Sequence, residues 1–345
     1  MDIKDIAKLA GVSTKTVQRV LNDSQHVKKE TREHIQHIMS EHNYYPNVSA
    51  RRLAKKKTQT LGLFIVQDPK KDNIYADDFF YSSVISQMIT SAGDRGYKML
   101  VTTTSVEDAS PILKLYREKS IDAGMIISWS DIQETVDKIL DYGYPVGVFD
   151  QNNLPERMEK VPVPELLNKE SAFEATRHLI SLGHQLIGII AGEATNQAAL
   201  ERLEGYTSAM ARAGLEAGPY YHGTFVEASG EEAVRSWISE ETLPTAIFCS
   251  NDEIAVGALK ALKQHDISVP DQVSLMGFDN IKITEYTTPT LSTMHVPRVE
   301  MADHLVEQMI SQAEGSESVK KKYFTASLIE RGSTAGPRRK KDSSD

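Results

Sequence analysis

The stretch DIKDIAKLAGVSTKTVQRVLN, residues 2–22, decides how the N-terminal part of this chain folds. Apolar residues recur at helical spacing in its first half, which predicts a short amphipathic helix over residues 3–10. Asp2 and Asp5 stand where the two acids of a capping box are found, and Gly11 stands where helices commonly end in a left-handed residue. A short capped helix followed by a tight glycine turn is therefore predicted.

A second and a third helix are predicted after this turn. Ser13 is a suitable cap for the second helix, whose buried side is expected to contain Val17, Val20 and Leu21. A third amphipathic pattern covers about residues 31–43. Three helices in this order favour a DNA-binding helix-turn-helix over a small structural bundle. The outward residues of the second helix are of the kinds that contact base edges and phosphates: Thr14, Lys15, Gln18 and Arg19.

The charge of the chain is distributed unevenly. Residues 1–60 carry 12 Lys and Arg against 6 Asp and Glu, a balance of +6, so the net charge of −9 leaves −15 on the remainder. A basic head on an acidic body is expected when the head alone meets a polyanion such as double-stranded DNA. On charge alone, a solvated basic face without a partner is an equal alternative.

Motifs spread over nearly fifty residues resemble the head of the LacI/GalR family of bacterial regulators. They are IKDIAKLAGVS at 3–13, TV at 16–17, RVLN at 19–22, TR at 31–32 and YPN at 45–47. The resemblance implies that Thr16 and Asn22 also contact an operator. Gln18 departs from the family's usual serine, and its amide can bind adenine through two hydrogen bonds.

Residues 47–54, NVSARRLA, resemble the hinge helix of the same family. Leu53 is an isolated apolar residue among arginines and lysines, so a helix this short is expected to form when DNA phosphates neutralise that charge. The resemblance implies that Asn47, Ala50 and Leu53 contact DNA, with Leu53 of two subunits inserted into the minor groove. A flexible basic linker is the alternative.

The rest of the chain is predicted to be an α/β body. A chain of 345 residues is too long for one core, so several domains are expected. Strand-like apolar runs alternate with amphipathic helical stretches, which predicts parallel sheets joined by crossovers. About ten strands exceed one comfortable sheet, and two lobes that share a cleft are therefore expected. The strand candidates are 61–66, 98–103, 123–128, 146–150, 186–191, 246–250 and 273–277.

Polar and aromatic residues follow several of these strands, where ligands of open α/β sheets bind. Carboxylates, an amide, a forked arginine and an aromatic face together suit a polyhydroxylated ligand. A single acid after a strand is more often a helix cap, so the interpretation depends on several such residues meeting at one edge. The candidates are Trp129, Asp150, Asn251, Asp252 and Asp279, with Arg202 in a following helix.

The resemblance to the LacI/GalR family extends along nearly the whole body. It is carried by ATRHL at 175–179, RLEGY at 202–206, PTAIF at 244–248, ND at 251–252 and GFD at 277–279. It implies a two-lobed, periplasmic-binding-protein-like (type I) fold with an effector between the lobes. The family's effector contacts carry over onto Asp150, Arg202, Asn251 and Asp279, and also onto Tyr81, Trp129 and Phe225.

The expected effector is a sugar or sugar derivative. An acidic or phosphorylated sugar is the second possibility, because Lys70 and Lys71 lie in the predicted effector loop 68–80 and could meet an anion together with Arg202. Surface lysines are more often bystanders. The residues do not distinguish an inducer from a corepressor.

Motifs of common enzymes are missing from the sequence. Residues 64–69 after the first strand contain no glycine triplet, and neither a Walker lysine nor a Gly-x-Ser-x-Gly elbow occurs. Cys249 is the single cysteine, which excludes a disulfide framework and a cysteine-based metal cluster. We therefore expect no catalytic residue, metal or cofactor. The alternatives are a sugar-binding protein of the transport type, or a sugar-active enzyme with Asp150 and Asp279 as its acids, joined to an unrelated basic head.

Together these patterns predict an all-α helix-turn-helix head and an α/β two-lobed body. We expect a homodimeric repressor that binds a near-palindromic operator. We expect it in the cytoplasm, because neither a signal peptide nor a membrane span is visible in the sequence. The expected domains are a head at 1–46, a hinge at 47–58 and a body at 59–335. The body divides into lobe 1 (about 60–161 and 291–321) and lobe 2 (about 162–290 and 322–335), followed by a disordered tail at 336–345 without leucine heptads.

Overall fold

The computed structural model describes residues 1–21, 24–44, 57–70, 79–151 and 160–338. The predictions for Asn22, for the hinge residues Asn47, Ala50 and Leu53, and for Lys71 lie outside the described residues. Within those ranges, no helix combines the length and the apolar character needed to cross a lipid bilayer.

The head consists of three helices: α1 (Ile3–Leu9), α2 (Thr14–Leu21) and α3 (Lys29–Glu41). At the start of α1, the Asp2 carboxylate accepts hydrogen bonds from the N–H groups of Lys4 and Asp5, and the Asp5 carboxylate accepts one from the Asp2 N–H. This reciprocal pair is the predicted capping box. Gly11 has a φ of +65°, so the predicted left-handed turn between α1 and α2 is also confirmed.

A small apolar core holds the three helices of the head together. Val17, which was predicted to face inward, is fully buried, as is Ile35 of α3, and Val20 and Ile38 are nearly so. The start of α3 has no side-chain cap, because Lys28 at that position offers no acceptor oxygen. The buried members of this core are Ile6, Ala7, Ala10, Val17, Val20, Ile35 and Ile38.

The first lobe is built on a four-stranded parallel sheet with the order β2–β1–β3–β4. Its strands are β1 (Thr60–Gln67), β2 (Lys98–Ser105), β3 (Ala123–Ile127) and β4 (Val146–Val148). Helices alternate with these strands, as a parallel sheet requires. They are α4 (Phe79–Asp94), α5 (Ser110–Arg117) and α6 (Gln133–Asp141).

The second lobe is built on a larger sheet of six strands. Its elements are α7 (Asn168–Ser181), β6 (Ile187–Ala191), α8 (Gln197–Arg212), β7 (Tyr220–His222), α9 (Glu227–Ser239), β8 (Ala246–Cys249), α10 (Asp252–Gln264), β9 (Ser274–Asp279), a 3-10 helix (Lys282–Glu285), β10 (Ser292–His295) and β12 (Ser327–Ile329). The strand order is β12–β10–β9–β8–β6–β7, and β12 runs antiparallel to β10. The predicted two-lobed α/β body is therefore confirmed.

Short segments carry the chain from one lobe to the other. β5 (Pro164–Leu166) and β11 (Lys322–Phe324) pair in parallel between the lobes. Helix α11 (Arg298–Ala313) packs on α4, β3 and β4 and so belongs to the first lobe. Residues 291–295 were expected in the first lobe as well, but β10 pairs with β9 in the larger sheet, and the crossing comes after His295.

The apolar cores connect the two lobes. One buried cluster contains Leu61 and Met301 of the first lobe together with Phe248 and Met276 of the second. Separate clusters lie on the remaining face of each sheet. The lobes therefore share apolar surface beside the cleft.

The seven predicted strands are all present, and the strands that the sequence analysis did not identify are β5, β7, β10, β11 and β12. Each contains three or four residues with at least one polar or charged residue among them, which interrupts the apolar run that marked the equally short β4 and β8. Residues 336–338 were expected in the disordered tail. Instead, the Arg338 guanidinium forms an ion pair with the Asp271 carboxylate at 2.7 Å.

Candidate functional site

A cavity of about 460 Å³ lies between the lobes, at the carboxyl ends of the parallel strands of both sheets. The structure brings all seven predicted effector residues to its wall. Their roles in binding a ligand stay predictions. The first lobe contributes Tyr81, Trp129 and Asp150, and the second contributes Arg202, Phe225, Asn251 and Asp279.

Arg202 is the buried centre of the second lobe's wall, with 5% of its surface exposed. Its Nε donates to Asn168 Oδ1 at 2.9 Å, and one terminal nitrogen donates to the Ser250 carbonyl at 2.5 Å. The guanidinium stacks on Phe278, with 3.9 Å between its central carbon and the ring centroid. These contacts leave the fork of Arg202 held in one orientation at the cavity.

Asp279, the last residue of β9, lies beside Arg202. One of its carboxylate oxygens is 4.0 Å from the Arg202 guanidinium, and 7% of the residue is exposed. Its φ of +110° is unusual for a residue with a side chain, and Asn280 follows with a φ of +57°. This turn aims the end of β9 at the cavity and needs neighbouring contacts to hold it.

The side-chain amide of Asn251 stabilises the fold and also has an N–H group that a ligand could use. Its Oδ1 accepts from the Ile254 N–H at 2.9 Å and so caps α10, and its Nδ2 donates to the Phe225 carbonyl at 3.0 Å. Asn251 is therefore both a helix cap and a residue of the cavity wall. An amide nitrogen has two donors, so a second N–H remains for a ligand in the cavity.

Asp150 is the carboxylate of the first lobe's wall. Burial raises its pKa to about 6, against an opposing effect of Arg202, while Glu201 raises it further. Its φ of +59° places it in the left-handed region, two residues after the end of β4. The neighbouring Gln151 donates to the carbonyls of Ser128 and Ser130 at 3.0 and 2.8 Å, which ties the ends of β3 and β4 together.

Aromatic rings border the cavity on both sides. Tyr81 is buried, and its ring centroid lies 5.9 Å from that of Trp129, which is 37% exposed. On the opposite side, Phe225 covers Gly192, where an added Cβ would overlap the ring. The rings offer apolar faces of the kind that pack on the C–H groups of a sugar.

The lining is strongly acidic. Arg202 is the single basic side chain among the described residues at the wall. Lys70, considered only as a contact for an anionic effector, is not part of the lining, and its ammonium lies 3.3 Å from Glu107 on the surface. The carboxylates at the wall are Asp68, Asp131, Asp150, Glu193, Glu253 and Asp279.

Asp252, also a candidate after β8, lies away from the cavity wall. It is fully buried, and it accepts hydrogen bonds from the Thr293 hydroxyl at 2.6 Å and from the Ile281 N–H at 2.8 Å. Burial and the nearby Asp279 raise its pKa. A Cβ at Gly277 would overlap its carboxylate. Asp252 therefore connects α10 to β10 and to the segment after β9.

Sequence reasoning missed other lining residues, among them Gln151 and Asn168. Asn168 is 2% exposed at the start of α7, and its Oδ1 holds the Nε of Arg202. No sequence motif predicted that Asn168 lines the cavity, because its partner Arg202 is 34 positions away in the chain. Within the described ranges, no group of three His, Cys, Asp or Glu is arranged to hold a metal ion.

A second candidate surface is the outer face of α2. Thr14, Lys15 and Arg19 are exposed there, and Thr16 and Gln18 are half-buried. Ser13 Oγ accepts from the Thr16 N–H at 3.1 Å, which confirms the predicted cap. The two hydroxyls are 2.9 Å apart. Contact of these residues with DNA stays a prediction.

Comparison with known proteins gives matches at both ends of the chain and along its whole length. The model for bacterial regulatory proteins of the lacI family matches residues 2–47, and that for a periplasmic binding protein-like domain matches residues 176–334. The HTH-type transcriptional regulator AscG of Escherichia coli (strain K12) is 32% identical over 340 residues, which cover 97% of this chain and 98% of AscG.

Two solved structures resemble the whole chain. The complex of the transcriptional regulator CelR with cellobiose has a TM-score of 0.71 and 25% identity, over 96% of this chain and 99% of CelR. The lac repressor dimer bound to operator and the anti-inducer ONPF has a TM-score of 0.82 and 23% identity, over 97% of this chain and 99% of that chain. The second likeness supports the fold.

Proposed function

The chain belongs to the LacI family of bacterial regulatory proteins, and we propose that it is a repressor whose affinity for its operator is set by a small neutral sugar bound between the lobes. It is a DNA-binding transcription regulator and not an enzyme. The alternatives of a transport-type binding protein and of a sugar-active enzyme are thereby wrong, because the relative that shares its whole length is a regulator.

The observation that carries this proposal is the meeting of all seven predicted residues at one cavity. Carboxylates accept hydrogen bonds from sugar hydroxyls, and the arginine fork and the asparagine amide donate to them. Aromatic rings on both sides of the cavity can pack on the apolar C–H faces of a sugar ring. The structure of CelR with cellobiose supports the same class of ligand for this chain.

The acidic wall favours a neutral sugar over a phosphorylated one. A phosphate in the cavity would face six carboxylates and one guanidinium that is already bonded to Asn168 and Ser250. Like charges in a water-poor cleft repel strongly. Lys70 cannot offset this from the surface, where it faces Glu107. The anionic effector is therefore not part of the proposal.

The operator side of the proposal concerns α2 and the hinge. LacI-family repressors bind operator DNA and act as dimers, and we place two copies of this chain on a near-palindromic operator in the cytoplasm. The exposed Thr14, Lys15 and Arg19 on α2, together with Gln18, would contact the major groove, and Leu53 of each hinge the minor groove. The order of the chain, with the hinge between head and body, supports coupling of the two ends.

Calorimetric titration of the full-length protein tests the proposal. Glucose, galactose, ribose and cellobiose are compared with glucose 6-phosphate and ribose 5-phosphate. We expect at least one neutral sugar to bind and to change the affinity for an operator duplex selected from random-sequence DNA. Binding of the phosphates alone, or sugar binding that leaves operator affinity unchanged, would contradict the proposal. The titration is repeated on Asp279→Ala, which removes a carboxyl from the cavity wall and should not bind the sugar normally. Asp141→Ala, which removes an exposed carboxyl outside the wall, is its control.

A further inference from the structure

We propose that Arg298 couples the effector cavity to the relative position of the lobes; this inference rests on the function proposed above. Arg298 is the first residue of α11 and stands where the chain has just passed from the larger sheet into the first lobe. It is not at the cavity wall. Arg298 is a positioning residue, since it would act through the residues that it bonds.

The guanidinium of Arg298 bonds to both lobes at once. On the first lobe, its Nε donates to the Ser83 hydroxyl at 2.7 Å, and that hydroxyl donates to the Phe80 carbonyl at 2.8 Å. On the second lobe, its terminal nitrogens donate to the carbonyls of Asp279 at 2.8 Å and Asn280 at 3.4 Å. One side chain therefore joins the start of α4 to the end of β9.

The segments that Arg298 joins both contribute residues to the cavity wall. Phe80 and Tyr81 on α4, and Asp279 on β9, are lining residues. The Arg298 guanidinium also lies 5.6 Å from the centroid of the Phe80 ring. A ligand that pulls on the Asp279 carboxylate would thus move the carbonyl to which Arg298 is bonded.

The backbone at this point depends on such contacts. Asp279 and Asn280 both have positive φ, which costs free energy for residues with side chains. From the second lobe, Arg331 donates to Asn280 Oδ1 at 2.8 Å. Arg298 adds the bonds that reach the first lobe. The strained turn is therefore held from both sides of the cleft.

Hydrogen-bond geometry makes this connection sensitive to rotation of the lobes. A hydrogen bond is lost when its donor and acceptor separate by about 1 Å beyond the ideal distance. Ser83 and Asp279 belong to different lobes, so a change of angle that separates them breaks one side of the Arg298 fork. Arg298 thus stabilises one arrangement of the lobes over another, which is the requirement for transmitting a binding event.

The chain supplies a matched control in Arg95, the residue that directly follows α4. Its guanidinium bonds to Asp303 of α11 at 2.9 Å and to Ser91 of α4 at 2.7 Å, so it joins the same two helices, but all of these residues lie in the first lobe. Arg95→Met removes an arginine bridge without removing a bridge between lobes. Ser83→Ala removes only the hydroxyl that Arg298 uses on the first lobe, and it leaves the cavity wall complete.

The test measures operator affinity with and without a neutral sugar for the wild type, Arg298→Met, Ser83→Ala and Arg95→Met. The DNA is the selected operator duplex, the sugars are those of the calorimetric series, and thermal unfolding verifies that each variant is folded. We expect Arg298→Met to change sugar-free operator affinity by about tenfold and to bring the ratio of affinities with and without sugar close to one. Ser83→Ala should give part of this effect, and Arg95→Met should stay within about twofold of the wild type.

Linkage gives a second measure of the same quantity. The factor by which sugar changes operator affinity must equal the factor by which operator changes sugar affinity, so both factors should fall together in Arg298→Met. A wild-type ratio in Arg298→Met, or an equal loss in Arg95→Met, would overturn the inference. If no sugar acts on the wild type, the proposed function fails, and sugar-free operator affinity alone then decides the role of Arg298.

Discussion

The two walls of the cavity are built in different ways. On the second lobe, Arg202, Asn251 and Asp279 are buried and bonded to the protein before any ligand arrives. On the first lobe, Trp129 is more than a third exposed, and Asp150 carries a carboxyl whose pKa is raised by burial. We infer that the second lobe presents a preorganised polar surface. The first lobe presents groups that would form contacts only when a ligand fills the cleft.

The largest effect is expected from Arg202→Met, which removes the centre of the preorganised wall. The change leaves Asn168 Oδ1 and the Ser250 carbonyl without their buried donor. We expect the free energy of unfolding to fall by about 3 kcal/mol, since losing one member of a buried charged network is costly. Urea unfolding followed by circular dichroism measures it, and a loss below 1 kcal/mol would show that this wall is not rigid.

The next largest effect is expected from Asp279→Ala, which should weaken the binding of the sugar. We expect the free energy of sugar binding to weaken by about 2–3 kcal/mol, which is roughly a 30- to 150-fold loss of affinity, because a buried charge-assisted acceptor is lost. Operator binding without sugar should persist, since the head is unchanged. Titration calorimetry and gel shift on the same preparation measure the two properties. A normal response of operator binding to sugar would contradict the role of Asp279.

Asp150→Asn should raise stability in a pH-dependent way. The pKa of Asp150 is raised to about 6 in the folded protein, so its ionised form opposes folding. This penalty grows as pH rises from about 4 to 6 and is complete above pH 6. Asparagine cannot ionise and tolerates the positive φ at this position.

We therefore expect the free energy of unfolding of Asp150→Asn to exceed that of the wild type by about 1–2 kcal/mol at pH 8 and to equal it at pH 4. Sugar affinity of the wild type should also weaken below pH 6, where the carboxylate becomes protonated. Thermal melts between pH 4 and 8 measure the first effect. A stability difference that does not vary with pH would mean that the Asp150 carboxyl is not the cause.

The smallest effect is expected from Trp129→Ala on the exposed part of the first lobe's wall. Sugar affinity should fall by about 1 kcal/mol, because an aromatic face that covers a sugar ring is lost. The melting temperature should change little, since 37% of Trp129 is exposed. Leu186→Ala, an exposed apolar residue outside the cavity wall, is the control. An unchanged sugar affinity would mean that the ligand does not reach Trp129.

Much of this architecture could be predicted because the responsible signals are local. The capping box of Asp2 and Asp5 and the turn at Gly11 depend on residues within three positions of one another. The predicted strands carry runs of apolar residues, and side chains such as Asp150 and Asn251 come within two residues of a strand end. Parallel strands bring their carboxyl ends to one edge, so residues far apart in the chain were expected to meet there.

Other features could not be predicted because they depend on distant pairings. Asn168 is recognisable as a partner of Arg202 only in the folded lobe. Asp252 and Asn251 are adjacent in sequence, yet Asn251 faces the cavity, while Asp252 bonds to Thr293 and Ile281. The placement of β10 in the larger sheet likewise follows from its pairing with β9.

Helical period, apolar strand runs and capping chemistry act over short distances, so local patterns were enough to predict the three-helix head and the two-lobed α/β body. The resemblance to the LacI/GalR family added Tyr81 and Phe225 to the predicted cleft residues, whereas Gln151 and Asn168 were missed. The tertiary structure alone decided how those side chains are divided between rigid and adaptable walls. It also decided that Arg298 bridges the lobes, since Ser83 lies 215 positions from Arg298 and only packing brings them together. Directional hydrogen bonds between distant segments exist only after the chain has folded.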